Sequence, residues 1–219
     1  MSTQEHDQFY YKDKWFDLTA SNGKMADIYG LLGYRPLSGR TSCGRGYIAV
    51  YEILDNTIAL GYLETSNVIE RTKDETKTAI PVAINGVRPV IAKNERVKKF
   101  RPDSPCREVK YKDTALKLPF TGEIVIGDNL VWNRWGWFQQ PWNYETVLEL
   151  HFVDGTLAND INLSCLTACI RTGIGKNGTE DDKKLIIEEG QKYMASKYAD
   201  KFLSNLDSPY GNWFKEMYA

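Results

Sequence analysis

Histidine is scarce in this chain: of 219 residues only His6 and His151 are histidines. The four cysteines, Cys43, Cys106, Cys165 and Cys169, form no Cys-x-x-Cys pair. A structural zinc site needs several sulfur or nitrogen ligands at short spacing, so the sequence predicts no metal and no cofactor. Net charge is almost absent as well, at −1. With no global electrostatic pull toward polyanions, nucleic acid is not expected as a partner. No run approaches the roughly 18 consecutive apolar residues of a membrane span. Met1 to Gln8 is polar, with no apolar core of a secretory signal, and the expectation is a reduced, cytoplasmic protein.

Aromatic residues are plentiful, at 12% with 13 Tyr and 6 Trp. They suit the half-buried faces of sheets and lean the fold toward β structure. Four segments repeat one plan, an apolar run, a tight polar turn and a second run. These are Phe9 to Leu18 around Lys12-Asp13-Lys14, Tyr47 to Leu63 around Asp55-Asn56, Gly122 to Trp132 around Gly127-Asp128-Asn129, and Tyr144 to Ala158 around Asp154-Gly155. Asp-Gly and Asp-Asn accept the positive φ that two-residue hairpin turns demand. The expected fold is mainly β, an antiparallel hairpin meander that closes as a barrel or stacks as a sandwich, with one C-terminal amphipathic helix.

The alternation of side chains assigns faces. In Tyr47 to Leu54 both parities are largely apolar, so this strand is expected mid-sheet, with Glu52 a lone acid in it. In Tyr144 to Val153 one parity is apolar and the other reads Glu145, Val147, Glu149, His151, Val153. That second face is expected to meet solvent.

Lys24 to Leu32 is expected to form a short helix ended by Gly33. Residues 64–119 carry five prolines and fit no hairpin, so they are expected to form a long loop with a short strand at Ala79 to Ile84. A loop that long is uncommon in a compact domain and must hold hidden strands or a function. Its second half is basic: from Lys93 to Lys117 nine Lys or Arg stand against Glu95, Asp103, Glu108 and Asp113. Thr179 followed by Glu180, Asp181 and Asp182 marks a helix start, and Leu185, Ile186, Tyr193, Met194, Tyr198 and Phe202 continue at near-helical spacing. The expected division is a β domain at 1–172 and a helical appendage at 173–219. Gly173 to Gly178 matches Gly-x-Gly-x-x-Gly, but acids fill the following turn and would repel a phosphate, so it is expected to be a connector.

The order Cys43-Gly44-Arg45-Gly46-Tyr47, Tyr51-Glu52-Ile53 and Phe120-Thr121-Gly122 resembles a group of uncharacterised bacterial cytosolic proteins over residues 9–158. That group carries a Trp-Arg-Gly-Tyr block, a Trp-Glu-Ile strand and a Phe-Thr-Gly hairpin. Gly44 and Tyr51 stand where the group has its two Trp. The resemblance implies a bacterial or phage-like cytosolic setting and no particular activity.

Three functions compete. The first is a non-enzymatic protein-binding module of the immunity or antagonist kind, whose partner is another protein such as a toxin or host factor. Its expected contact residues are Trp132, Arg134, Trp135, Trp137 and Trp142, because Trp and Arg anchor interfaces. The second is a hydrolase-type enzyme using Glu145, Glu149 and His151, since carboxylates beside an imidazole can do acid–base work. The third is a small-ligand or glycan-binding β module that stacks rings on the same Trp residues.

Overall fold

The computed structural model describes residues 5–37, 42–71, 76–93, 105–131 and 139–168. The chain is mostly β, as expected. The hairpin β1 (Gln8–Tyr11) and β2 (Lys14–Ser21) turns through Lys12 and Asp13, both at positive φ. Asp55 and Asn56 likewise join β3 (Tyr47–Leu54) to β4 (Thr57–Ser66). Asp154 and Gly155 join β11 (Tyr144–Val153) to β12 (Thr156–Asn162). The short helix is α1 (Ile28–Leu32), closed by Gly33 in the left-handed conformation.

The third hairpin does not form. β10 runs without a turn from Gly122 to Leu130. Gly127 serves close approach instead: a Cβ there would lie 2.6 Å from the Tyr144 ring. The stretch 64–119 also departs from a loop, because it holds β5 (Val68–Arg71), β6 (Thr76–Thr78), β7 (Val90–Lys93), β8 (Arg107–Tyr111) and β9 (Leu116–Lys117). No strand forms over Ala79 to Ile84. Pro81 removes a ladder donor, and only Ile84 bridges Val87 across the turn Asn85-Gly86. The Gly173 connector and the C-terminal helix fall outside the described residues.

Ten strands form one mixed sheet among the described residues, ordered β12-β11-β10-β2-β1-β3-β4-β8-β7 with β9 beside β4. The first seven of that order close on themselves. Thr156 pairs Thr57, Ile58 N–H donates to Gly155 O at 2.8 Å, and Leu157 N–H donates to Asn56 O at 2.9 Å. Tyr11 at the end of β1 and Lys12 in the turn after it both reach Asp160 on β12, at 3.2 and 2.7 Å, although β1 and β12 are not neighbours in the ladder. Phe9, Phe16, Tyr51, Leu60, Ile124, Leu150 and Phe152 fill the interior.

One adjacency departs from an antiparallel meander: β1 and β3 run parallel, Gln8 opposite Val50. Parallel neighbours need a crossover, which β2 and α1 supply. Their entrances are pinned together. Arg45 donates from Nη1 to Asp7 Oδ2 at 2.9 Å and from Nη2 to Glu5 O at 3.0 Å, while Asp7 Oδ1 accepts Ala49 N–H at 2.8 Å. Burial works against the charge on Arg45, yet Asp7 beside it holds the guanidinium pKa above its ordinary value. Arg45 is thus held by contacts that join the two strand entrances. Glu52 does not meet it: its half-buried carboxylate lies over Gly61.

Candidate functional site

The outer face of β10 and β11 is where the structure departs most from the sequence reading. Val125, Val147, Tyr144, Ala20 and Leu163 make a second apolar cluster there, with Trp142 packed against it. After β12, Leu163 N–H donates to Val147 O at 2.8 Å and the chain turns helical at 164–168. Ser164 Oγ accepts Val147 N–H at 3.0 Å. The middle of the face expected to meet solvent is thereby covered, with Glu149 fully buried, while Glu145 and Val153 at its ends stay exposed as expected.

A buried carboxylate requires polar partners. Glu149 Oε1 lies 2.6 Å from His151 Nε2, two residues along the same strand face. The other ring nitrogen, Nδ1, lies 3.6 Å from Glu123 Oε1 on β10. Register explains the meeting, since Glu123 is the cross-strand partner of His151 and Val125 that of Glu149. Asn22, just beyond β2, then holds Glu123. Its Nδ2 donates to Glu123 Oε2 at 2.9 Å, its Oδ1 accepts Glu123 N–H at 2.8 Å, and its own N–H donates to Glu123 O. Glu149, His151, Glu123 and Asn22 thus form one polar chain from the covered face to the surface. The side chains of Glu123 and His151 keep 21% and 26% exposure, against 1% for Glu149.

The sequence grouping of Glu145, Glu149 and His151 is corrected accordingly. Glu145 is exposed and accepts a hydrogen bond from Asn129, away from the other two. Glu123 replaces it. One parity of one strand cannot reveal a residue brought in by the neighbouring strand. The ligand atoms of Glu123, Glu149 and His151 all lie within 4.8 Å of one another, a spacing compatible with a shared cation.

Trp132, Arg134, Trp135 and Trp137 lie outside the described residues. Trp142 sits in a 3-10 turn, Pro141–Asn143, and is half-buried against the outer cluster. Cys43 is buried, its Sγ donates to Tyr47 O at 3.1 Å, and burial pushes its thiol pKa up, which opposes nucleophilic use. His6 Nδ1 donates to Leu18 O at 3.0 Å, and Nε2 accepts Gln139 N–H at 3.2 Å, which fixes a neutral tautomer.

A second surface stands out at the far end of the sheet. Among the described residues β7 pairs β8 on one side and ends the strand order. All four of its residues are exposed, with Val90 at 57% and Ile91 at 52%. The preceding segment adds Ile80 at 88% exposure, close to where Tyr111 donates to Val82 O at 2.8 Å. Arg88 and Lys93 flank the apolar pair and are exposed.

No family model, curated protein or solved structure matches this chain. No described helix is long and apolar enough to cross a membrane.

Proposed function

We propose that the chain is a non-enzymatic protein-recognition module that takes an extended segment of another protein on the β7 edge. The observation that supports this reading is the exposure of Val90 and Ile91 on a strand whose outer side ends the ladder. An edge strand offers unpaired N–H and C=O groups as a template for an added strand. Strand addition draws affinity from main-chain hydrogen bonds and specificity from the alternating side chains. Arg88 and Lys93 place positive charge at both ends of the apolar pair. They disfavour an identical edge and favour a partner segment with an apolar centre and acidic flanks. A toxin or host factor held this way would be blocked by occupation, the chemistry of an immunity or antagonist protein.

The test is affinity capture from the native host with wild type and Ile91→Glu, followed by cross-link mapping. The expected result is one stoichiometric partner retained by wild type, lost with the variant, and cross-linked near Lys93. A partner that binds both equally, or cross-links remote from β7, contradicts the assignment.

A further inference from the structure

We infer that Glu123, Glu149 and His151 form a binding site for a single divalent transition-metal cation of the zinc or cobalt type. The inference stands apart from the β7 edge and does not depend on it.

Three observations carry it. The first is the donor set, two carboxylates and one imidazole from adjacent strands of a closed sheet. Two carboxylates and a neutral ring total −2, which matches the charge of the ion. An imidazole nitrogen selects zinc-like metals over magnesium or calcium, which prefer oxygen alone.

The second is spacing. With metal–ligand bonds of about 2.0–2.2 Å, tetrahedral ligand atoms stand roughly 3.4 Å apart. The two carboxylates face different nitrogens of the ring, Glu149 Oε1 at 2.6 Å from Nε2 and Glu123 Oε1 at 3.6 Å from Nδ1, but with one nitrogen taken from His151 the three ligand atoms lie within 4.8 Å of one another, close enough for a modest closing of the side chains to bring them onto one ion. The cation takes the place of the proton now shared between imidazole and carboxylate. The ring stays neutral with its single proton on the other nitrogen, so the exchange releases no proton and requires no redox partner.

The third is the support around the donors. Asn22 grips Glu123 by its second carboxylate oxygen and its backbone, so Oε1 remains turned toward His151. Hydrogen-bonded carboxylate ligands of this kind are typical of metal sites. Glu149 is fixed between Val125 and Val147, both fully buried.

The test titrates the purified full-length chain with Co2+ and follows its visible absorption, with Zn2+ added as competitor and calorimetry for stoichiometry. The expected result is one site per chain, absorption of a four- or five-coordinate ion, and its loss on adding Zn2+. His151→Gln should abolish the signal. Glu123→Gln should weaken binding at least tenfold, and Asn22→Ala about tenfold. Glu123 is partly exposed and its Gln variant keeps the Asn22 contact, so that result remains interpretable even if Glu149 variants fail to fold. His6→Gln, which removes the other histidine, should bind normally. Absence of the Co2+ signal in wild type overturns the inference, as does equal binding by His151→Gln.

Discussion

Glu149 and His151 stand two residues apart on β11 and meet at 2.6 Å between Oε1 and Nε2, although the side chain of the first is 1% exposed and that of the second 26%. One strand face therefore carries a polar pair from the covered outer cluster to the surface. The pair should support stability whether or not a cation binds. Glu149→Leu removes the acceptor and leaves the imidazole facing apolar surroundings on that side. Urea unfolding should register a loss of about 0.5–1.5 kcal/mol, the usual net worth of a hydrogen bond, because His151 stays partly exposed. Glu149→Gln keeps a carbonyl acceptor and should lose less.

The Asp7–Arg45 pair pins the parallel entrances of β1 and β3. Asp7→Ala leaves the half-buried Arg45 charged with one partner fewer, and should destabilise by roughly 1–3 kcal/mol. Asp7→Leu combined with Arg45→Met should recover much of that loss, because the uncompensated charge is gone. A double-mutant cycle in urea measures the coupling. Additive single effects would show that the two residues act independently.

His6 gives a pH signature. Burial lowers its pKa below the ordinary 6.5. The unfolded chain therefore binds this proton more readily than the folded chain. The stability His6 contributes is fully present above about pH 6.5, and it is lost as pH falls from there toward the lower folded-state value. Protonation also turns Nε2 from acceptor to donor and breaks the bond from Gln139 N–H. His6→Gln should flatten the acid side of the stability profile relative to wild type, measured by urea midpoints across that range. An unchanged slope would contradict the assignment.

Gly127 offers a test of close packing. Gly127→Ala places a methyl group against the Tyr144 ring, whose hydroxyl donates to Asp17 Oδ2 at 2.7 Å. Displacing the ring strains both contacts, with an expected loss of about 1–3 kcal/mol. Tyr144→Ala in the same background should relieve the clash, so the two changes should be less than additive in thermal unfolding.

These sites also mark what could be read from sequence. The hairpins at Lys12-Asp13, Asp55-Asn56 and Asp154-Gly155 were legible because a two-residue turn at positive φ is a local requirement met by local residue types. Gly127-Asp128-Asn129 has the same composition, yet its glycine answers to an aromatic ring seventeen positions away. The strands β5 to β9 were hidden because each is short and several are half-exposed, so alternation has little length over which to appear. Glu149 reads as a solvent-facing acid because nothing within its strand reports that Leu163 and the turn after it return to cover that face. Glu123 was missed for a related reason. Its meeting with His151 depends on the register between β10 and β11, which the local pattern does not contain.

The β7 edge is tested most directly by hydrogen exchange of the backbone amides with and without the captured partner. Strand addition should slow exchange at Val90 to Lys93 by at least an order of magnitude, leave β1 and β2 unchanged, and vanish with Ile91→Glu. Protection confined to other strands, with the amides of Val90 to Lys93 exchanging as in the free protein, would contradict the proposal.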